Sequence, residues 1–388
     1  MRIVIICART WGQMGNFLAA QRLAETLKLF AEPGTSIHVQ PAEELCPGVA
    51  QTGQRMLEIA SCSGNLAERR ARYLALIEEL QTEYPQGFEV GNEIVGDSSD
   101  VKLLAEFLES EKPDLIIGTK GFFSRMAQAA TGYGGLLIPI INYVTNDGLL
   151  TLPLHQTSGG ILNLVQTEFG ARMIADRSPF KIVGPLVGHC TSSQRLIDPD
   201  KRLQVGVLCN RNPEYKAIYD ALAEYGDAIR VKTIVIGCPE LLSDLRLHAP
   251  AHWDILDAQL AKNYLELLAD LRTATDCVFV TKSSPNAVLE AVAAGLPVLA
   301  LNSGLPMEEW MLQLIKERGL GWPAHDSEHA VSILRSLVGQ PKHIAEMSAS
   351  VFKYSTTSIN NHSDGSNIYQ AILSVLNHQS SIFEACLQ

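Results

Sequence analysis

Between Asp276 and Leu301 the chain sets two uninterrupted apolar runs on either side of one short helix, and that pattern restricts the fold more than any other stretch. Cys277–Val280 has the make-up of a strand buried on both faces, which requires a parallel sheet covered by helices on both sides. Thr281–Ser284 is a polar turn, and Pro285 stands in the first turn of a helix, where its missing N–H costs nothing. The helix runs over Asn286–Ala294, Gly295 ends it, and a second buried strand, LPVLAL, follows at once. A strand that feeds a helix through a hydroxyl-rich turn aims amide N–H groups and the positive end of the helix dipole at one point. Glu290 lies one turn further in. Two readings stay open: a phosphate on the turn with a ribose diol on Glu290, or a plain βαβ unit in which Ser284 caps the helix and Glu290 is solvated.

The same alternation runs through the rest of the chain. Arg2–Ala8 reads as a buried strand and Arg9–Gly15 as a loop with Gly12 and Gly15 at Gly-x-x-Gly spacing. Asn16–Phe30 has helical periodicity and Ser36–Gln40 is a second strand. Residues 41–64 read as irregular, and Leu66–Tyr84 as a charged helix whose Arg69, Arg70 and Arg72 belong on a solvated face. Strand–helix pairs continue to Phe180–Gly184. The segment 186–202 is polar, turn-rich and without period, which marks a linker. From Leu203 the alternation restarts and runs to a last helix over Asp364–Asn377. Strands alternating with helices predict a parallel, doubly wound sheet in each half. The expected division is 1–185, the linker, 203–360, and a C-terminal helix in 361–388 that crosses back to the first domain.

A chain of 388 residues suits two domains. Its net charge of −11 is spread over both halves, with no basic face for nucleic acid or for anionic lipid. The eight cysteines are dispersed without a C-x-x-C pair and read as buried thiols of a reduced compartment rather than as disulfides or metal ligands. Gly135–Ile141 and Leu149–Leu154 are apolar but are separated by Asn142, Asn146 and Asp147, so neither reaches the ~20 residues of a membrane span. The expectation is a cytoplasmic protein, with peripheral membrane contact as an option, no nucleic-acid partner and no integral membrane segment.

The run TKSSPNAVLEAVAAGLPVLALNSGLPMEE resembles the donor-binding motif of the glycosyltransferase group that contains the monogalactosyldiacylglycerol synthases and MurG. Lys282, Pro285, Glu290, Ala291, Gly295, Leu296, Pro297 and Glu309 fall on motif positions, and PDLIIGTKGFFS, IPIINYVTNDG, NLVQTEFGARMI and FKIVGPLV follow the order of that group's N-terminal half. The resemblance implies a GT-B fold: two facing Rossmann-like domains with the ligand in the cleft between them. It also implies that Glu290 accepts from the ribose hydroxyls and that Ser283, Ser284, Pro285 and Asn286 hold the diphosphate. Glu308 and Glu309 would meet the transferred sugar. Lys282 is either a cation near the phosphates or a cap on the strand edge.

The chain departs from that pattern at four places, and at one of them Glu308 stands where the group usually has Gln. Ser283 and Ser284 replace a small residue and a glycine. The loop Cys209-Asn-Arg-Asn-Pro213 replaces a glycine-rich one, which makes Arg211 the candidate phosphate clamp. Where the group carries Gly-Gly-His, this chain has Gly12-Gln-Met-Gly15-Asn16, and asparagine takes no proton at neutral pH. His155 is then the candidate base, with Asp147 as base or orienter. The expected activity is inverting transfer of a sugar from a nucleoside diphosphate sugar, UDP-linked, to a hydroxyl or amine of a small molecule, peptide or lipid, with no metal and no cofactor beyond the donor. The alternatives are a nucleotide-sugar hydrolase or epimerase, and a non-catalytic nucleotide-sugar-binding subunit. A homodimer is one option for the assembly.

Overall fold

The computed structural model describes residues 1–11, 15–60, 66–83, 99–157, 160–187, 202–210, 214–256, 262–273, 276–359 and 365–386. Two compact units are present: Met1–Ile59 with Ala71–Leu186 and His362–Gln388, and Ala60–Arg70 with Val187–Asn361.

The first unit is built on a six-stranded parallel sheet of β1 (Arg2–Cys7), β2 (Ser36–Pro41), β3 (Leu115–Gly118), β4 (Ile140–Tyr143), β5 (Leu162–Val165) and β6 (Phe180–Ile182), in the order β2-β1-β3-β4-β5-β6. Strand order reverses between β1 and β3, which pair Ile3 with Leu115 and Ile6 with Gly118. Ile3, Ile5 and Cys7 of β1 share one core with Leu23 and Leu27 of α1 (Gly15–Phe30) and with Ile368, Tyr369 and Ile372 of the C-terminal helix, Ser366–Cys386. That helix thus belongs to the first unit although all of the second precedes it in the chain.

The second unit repeats the plan with β7 (Leu203–Asn210), β8 (Ile229–Ile236), β9 (Asp254–Leu256), β10 (Cys277–Lys282), β11 (Val298–Leu301) and β12 (Gly321–Ala324), all parallel, in the order β12-β11-β10-β7-β8-β9. Counted from β7 this is the 3-2-1-4-5-6 order of a dinucleotide-binding sheet, whose crevice opens at the carboxyl ends of its first and fourth strands. Those strands are β7 and β10, and β10 is the strand of the opening motif.

Two expectations fail. Of the region expected to be irregular, 41–64, residues 61–64 lie outside the described residues and Pro47–Ala60 forms a helix, α2. Its first amides, Gly48 and Val49, donate to the Asp100 carboxylate at 3.2 and 3.0 Å, so the cap is supplied from 52 and 51 residues away. Nor does Arg69 lie on a solvated face. It is 3% exposed, and its Nη1 donates to the Ser303 carbonyl at 2.9 Å.

Candidate functional site

The carboxyl ends of β7, β10 and β11 bring together the polar groups of the opening motif. The backbone turn after β10 is set by two short bonds, Ser283 N to Leu301 O and Ser284 N to Lys282 O, both 2.7 Å. Helix α10 (Pro285–Ala293) starts there, with Ser284 at the N-cap position and Pro285 behind it. Ser284 makes no side-chain cap bond, so its hydroxyl is not consumed by the helix end. Asn286 occupies the first turn of the same helix. Glu290, expected to be solvated in the structural reading, is buried.

Lys282 and Glu308 meet as a buried ion pair, Nζ to Oε1 at 3.4 Å. Lys282 therefore faces a carboxylate rather than a strand edge. Glu308 closes a 3-10 turn, Pro306–Glu308, and Glu309 opens the helix α11, Glu309–Arg318. The Glu309 carboxylate is half-exposed and paired with Arg70. Tyr215, first residue of helix α7 (Tyr215–Ala223), is buried in the same neighbourhood. Burial, with Cys209, Tyr219 and Glu308 close by, pushes its hydroxyl well above the usual tyrosine range, and the nearby Thr281 opposes this.

Among the described residues, four side-chain oxygens in this neighbourhood are buried without a hydrogen-bond partner, the Tyr215 hydroxyl and the trio Asn210 Oδ1, Ser283 Oγ and Glu308 Oε2 at the strand ends. A buried polar atom left so costs about 1–3 kcal/mol. Two of the trio are pure acceptors, so a ligand rich in hydroxyl donors would satisfy them. Arg211 and Gly12 lie outside the described residues. Among the described residues, no three His, Cys, Asp or Glu side chains converge as metal ligands.

The first unit has its own point of strand reversal, at the ends of β1 and β3, and Asn16 fills it. Its Oδ1 accepts from Ala8 N at 2.8 Å and from Thr119 Oγ1 at 2.9 Å, and its Nδ2 donates to Thr119 O and Thr145 Oγ1, both at 3.2 Å. Asn16, one residue into α1 from Gly15, thus ties three strand ends together, those of β1, β3 and β4, with every polar atom of its side chain engaged. Beside it, Lys120 donates to Trp11 O at 2.7 Å. Burial brings the Lys120 ammonium down to about 7, with Glu43 acting against the shift. Lys120 drew no notice in the sequence, since one lysine before a glycine carries no local signal of burial.

His155 is fully buried, and neither ring nitrogen has a partner among the described residues. Burial, reinforced by the charges of Lys120 and Arg125, holds its pKa well below 6.5, so the ring stays neutral at working pH. Its backbone lies against Gly121, where a Cβ would collide with the His155 carbonyl. Asp147 has other neighbours. Its Oδ1 accepts from Gln166 N at 3.0 Å, and its Oδ2 from Thr167 N at 2.8 Å and Thr167 Oγ1 at 2.6 Å. These groups start the helix α6, Glu168–Ile174, and a Cβ on Gly170 would stand 2.5 Å from the carboxylate carbon. Asp147 is thus a helix-start anchor, with both oxygens in use. Burial lifts its pKa to about 6 against the pull of these bonds.

No family model matches the chain, and no curated protein sequence does. Solved structures match it over nearly the whole length. The glycosyltransferase VinC, crystallised with dTDP, is 14% identical, covers 97% of this chain and 100% of its own, and has a TM-score of 0.55. MurG of Acinetobacter baumannii is 12% identical over 95% of this chain and 99% of its own, with a TM-score of 0.53. UGT89C1 of Arabidopsis thaliana, complexed with UDP, is 13% identical over 97% and 99%, with a TM-score of 0.59. The architecture is the GT-B fold of these glycosyltransferases, with two Rossmann-like units.

Proposed function

We propose that a chain with this fold and this set of buried oxygens transfers a sugar from a nucleoside diphosphate sugar, of the UDP type, to a hydroxyl or amine acceptor with inversion at C1. The observation that carries the reading is the trio Asn210 Oδ1, Ser283 Oγ and Glu308 Oε2, buried without partners at the ends of β7 and β10 and after β11. Strand order supports this as the ligand crevice of the second unit, and solved structures of the same fold include VinC with dTDP and UGT89C1 with UDP. Glu290 takes the ribose hydroxyls. The turn 283–286 takes the diphosphate, with Lys282 and Arg211 as cations and the α10 N-terminus opposing the charge that develops on the leaving group. Glu308 and Glu309 take the sugar.

His155 removes the acceptor proton. A neutral imidazole is in the right protonation state, but one with so low a pKa is a weak acceptor, so transfer comes late, as the acceptor oxygen bonds to C1. The complete burial of His155, with Asn16 and Asp147 both committed to the backbone, favours a second reading: a nucleotide-sugar-binding protein without turnover of its own. Incubation with UDP-glucose and a panel of acceptors separates the two. UDP release that depends on acceptor supports the transferase, release without acceptor indicates a hydrolase, and binding without release indicates the subunit.

A further inference from the structure

The loop that would meet the sugar does not rest on its own sheet alone. After β11 it folds through Asn302 Oδ1, which accepts from Gly304 N at 2.9 Å, and Ser303 Oγ, which accepts from Leu305 N at 3.2 Å. Gly304 has φ +71°, and a Cβ there would come 2.9 Å from the carbonyl oxygen of Leu66. Leu66 begins the helix Leu66–Glu83, whose first turn groups with the second unit. From that turn Arg69 donates to the Ser303 carbonyl, and Arg70 pairs with Glu309. Each glutamate of the loop is thus held by a cation from elsewhere, Glu308 by Lys282 and Glu309 by Arg70.

We propose that Arg69 and Arg70 are positioning residues for the sugar end of the donor site: they hold the 303–309 loop so that Glu308 and Glu309 face the hexosyl group, and they act on sugar affinity without acting on the nucleotide. The inference rests on the donor-site reading above. A buried arginine keeps its place through the partners its guanidinium finds, and here one of its bonds ends on the backbone of this loop. Arg70 is half-exposed, so its part is to orient Glu309 rather than to stabilise the fold.

The test is calorimetric titration of wild type, Arg69→Met, Arg69→Lys, Arg70→Ala and Arg70→Lys with UDP and with UDP-glucose, UDP-galactose and UDP-N-acetylglucosamine. For the sugar nucleotide that wild type binds best, Arg69→Met and Arg70→Ala should each lose about five- to tenfold in affinity, the scale of one charge-assisted bond. UDP itself should change less than twofold, and Arg70→Lys should recover most of the loss. Equal loss for UDP and the sugar nucleotide would show a merely structural role and overturn the inference, as would no loss in either variant. Wild type binding UDP but no sugar nucleotide more tightly would overturn it while leaving the nucleotide site intact. Wild type binding none of the four would overturn both.

Discussion

Asp147 stands at a point where chemistry and architecture make opposite demands, and pH separates them. Its carboxyl is fully buried and titrates at about 6 in the folded protein, against 3.8 ordinarily. A carboxyl whose pKa is raised binds a proton more tightly folded than unfolded. Between the two values the native state therefore holds more protons, and stability falls as pH rises. The gap between 3.8 and about 6 corresponds to about 3 kcal/mol of stabilisation, fully present only well below pH ~4 and lost as pH rises through ~6. Asp147→Asn removes the titration while keeping the shape, and one oxygen can still accept from the Gln166 amide. Urea unfolding of wild type and variant at half-unit steps from pH 4 to 7 cancels every other titrating group in the difference. Wild type should lose its advantage by about 2–2.5 kcal/mol across that range, with most of the change between pH 4 and 6. A difference that is constant with pH would refute the burial argument. Unchanged stability at every pH together with lost turnover would return Asp147 to the chemistry.

The remaining expectations concern the site and its scaffold. Glu290→Ala should weaken UDP binding by about 1–3 kcal/mol through loss of charge-assisted bonds, and calorimetry showing no change would remove the ribose assignment. His155→Ala should lower turnover with UDP affinity intact. Because burial and the charges of Lys120 and Arg125 depress the His155 pKa, the wild-type rate should show no histidine limb near pH 6.5. Asn16→Ala should destabilise by about 2–4 kcal/mol, since its four bonds to Ala8, Thr119 and Thr145 have no substitute partner, and an unchanged unfolding midpoint would contradict that.

By itself the sequence determined the parallel, doubly wound character of both halves. Runs such as Cys277–Val280 and Ile3–Ala8 are apolar at every position, and only strands covered on both faces tolerate that. It also determined the turn and helix start at Ser283–Pro285, because Pro and the hydroxyl residues act within a few positions of themselves. Tertiary structure alone decided the rest. That β7 lies beside β10, so that Asn210 and Ser283 share a crevice, is a matter of strand order, which no local pattern encodes. The same holds for α2, whose amides are capped by Asp100, and for Asn16, which binds the end of a strand 103 residues away. Arg69 reads as solvated because its neighbours on the helix are charged, yet it is buried against a carbonyl 234 residues distant. Periodicity reports how a segment meets its surroundings on average; which particular group a polar side chain meets is fixed only when distant segments are packed together.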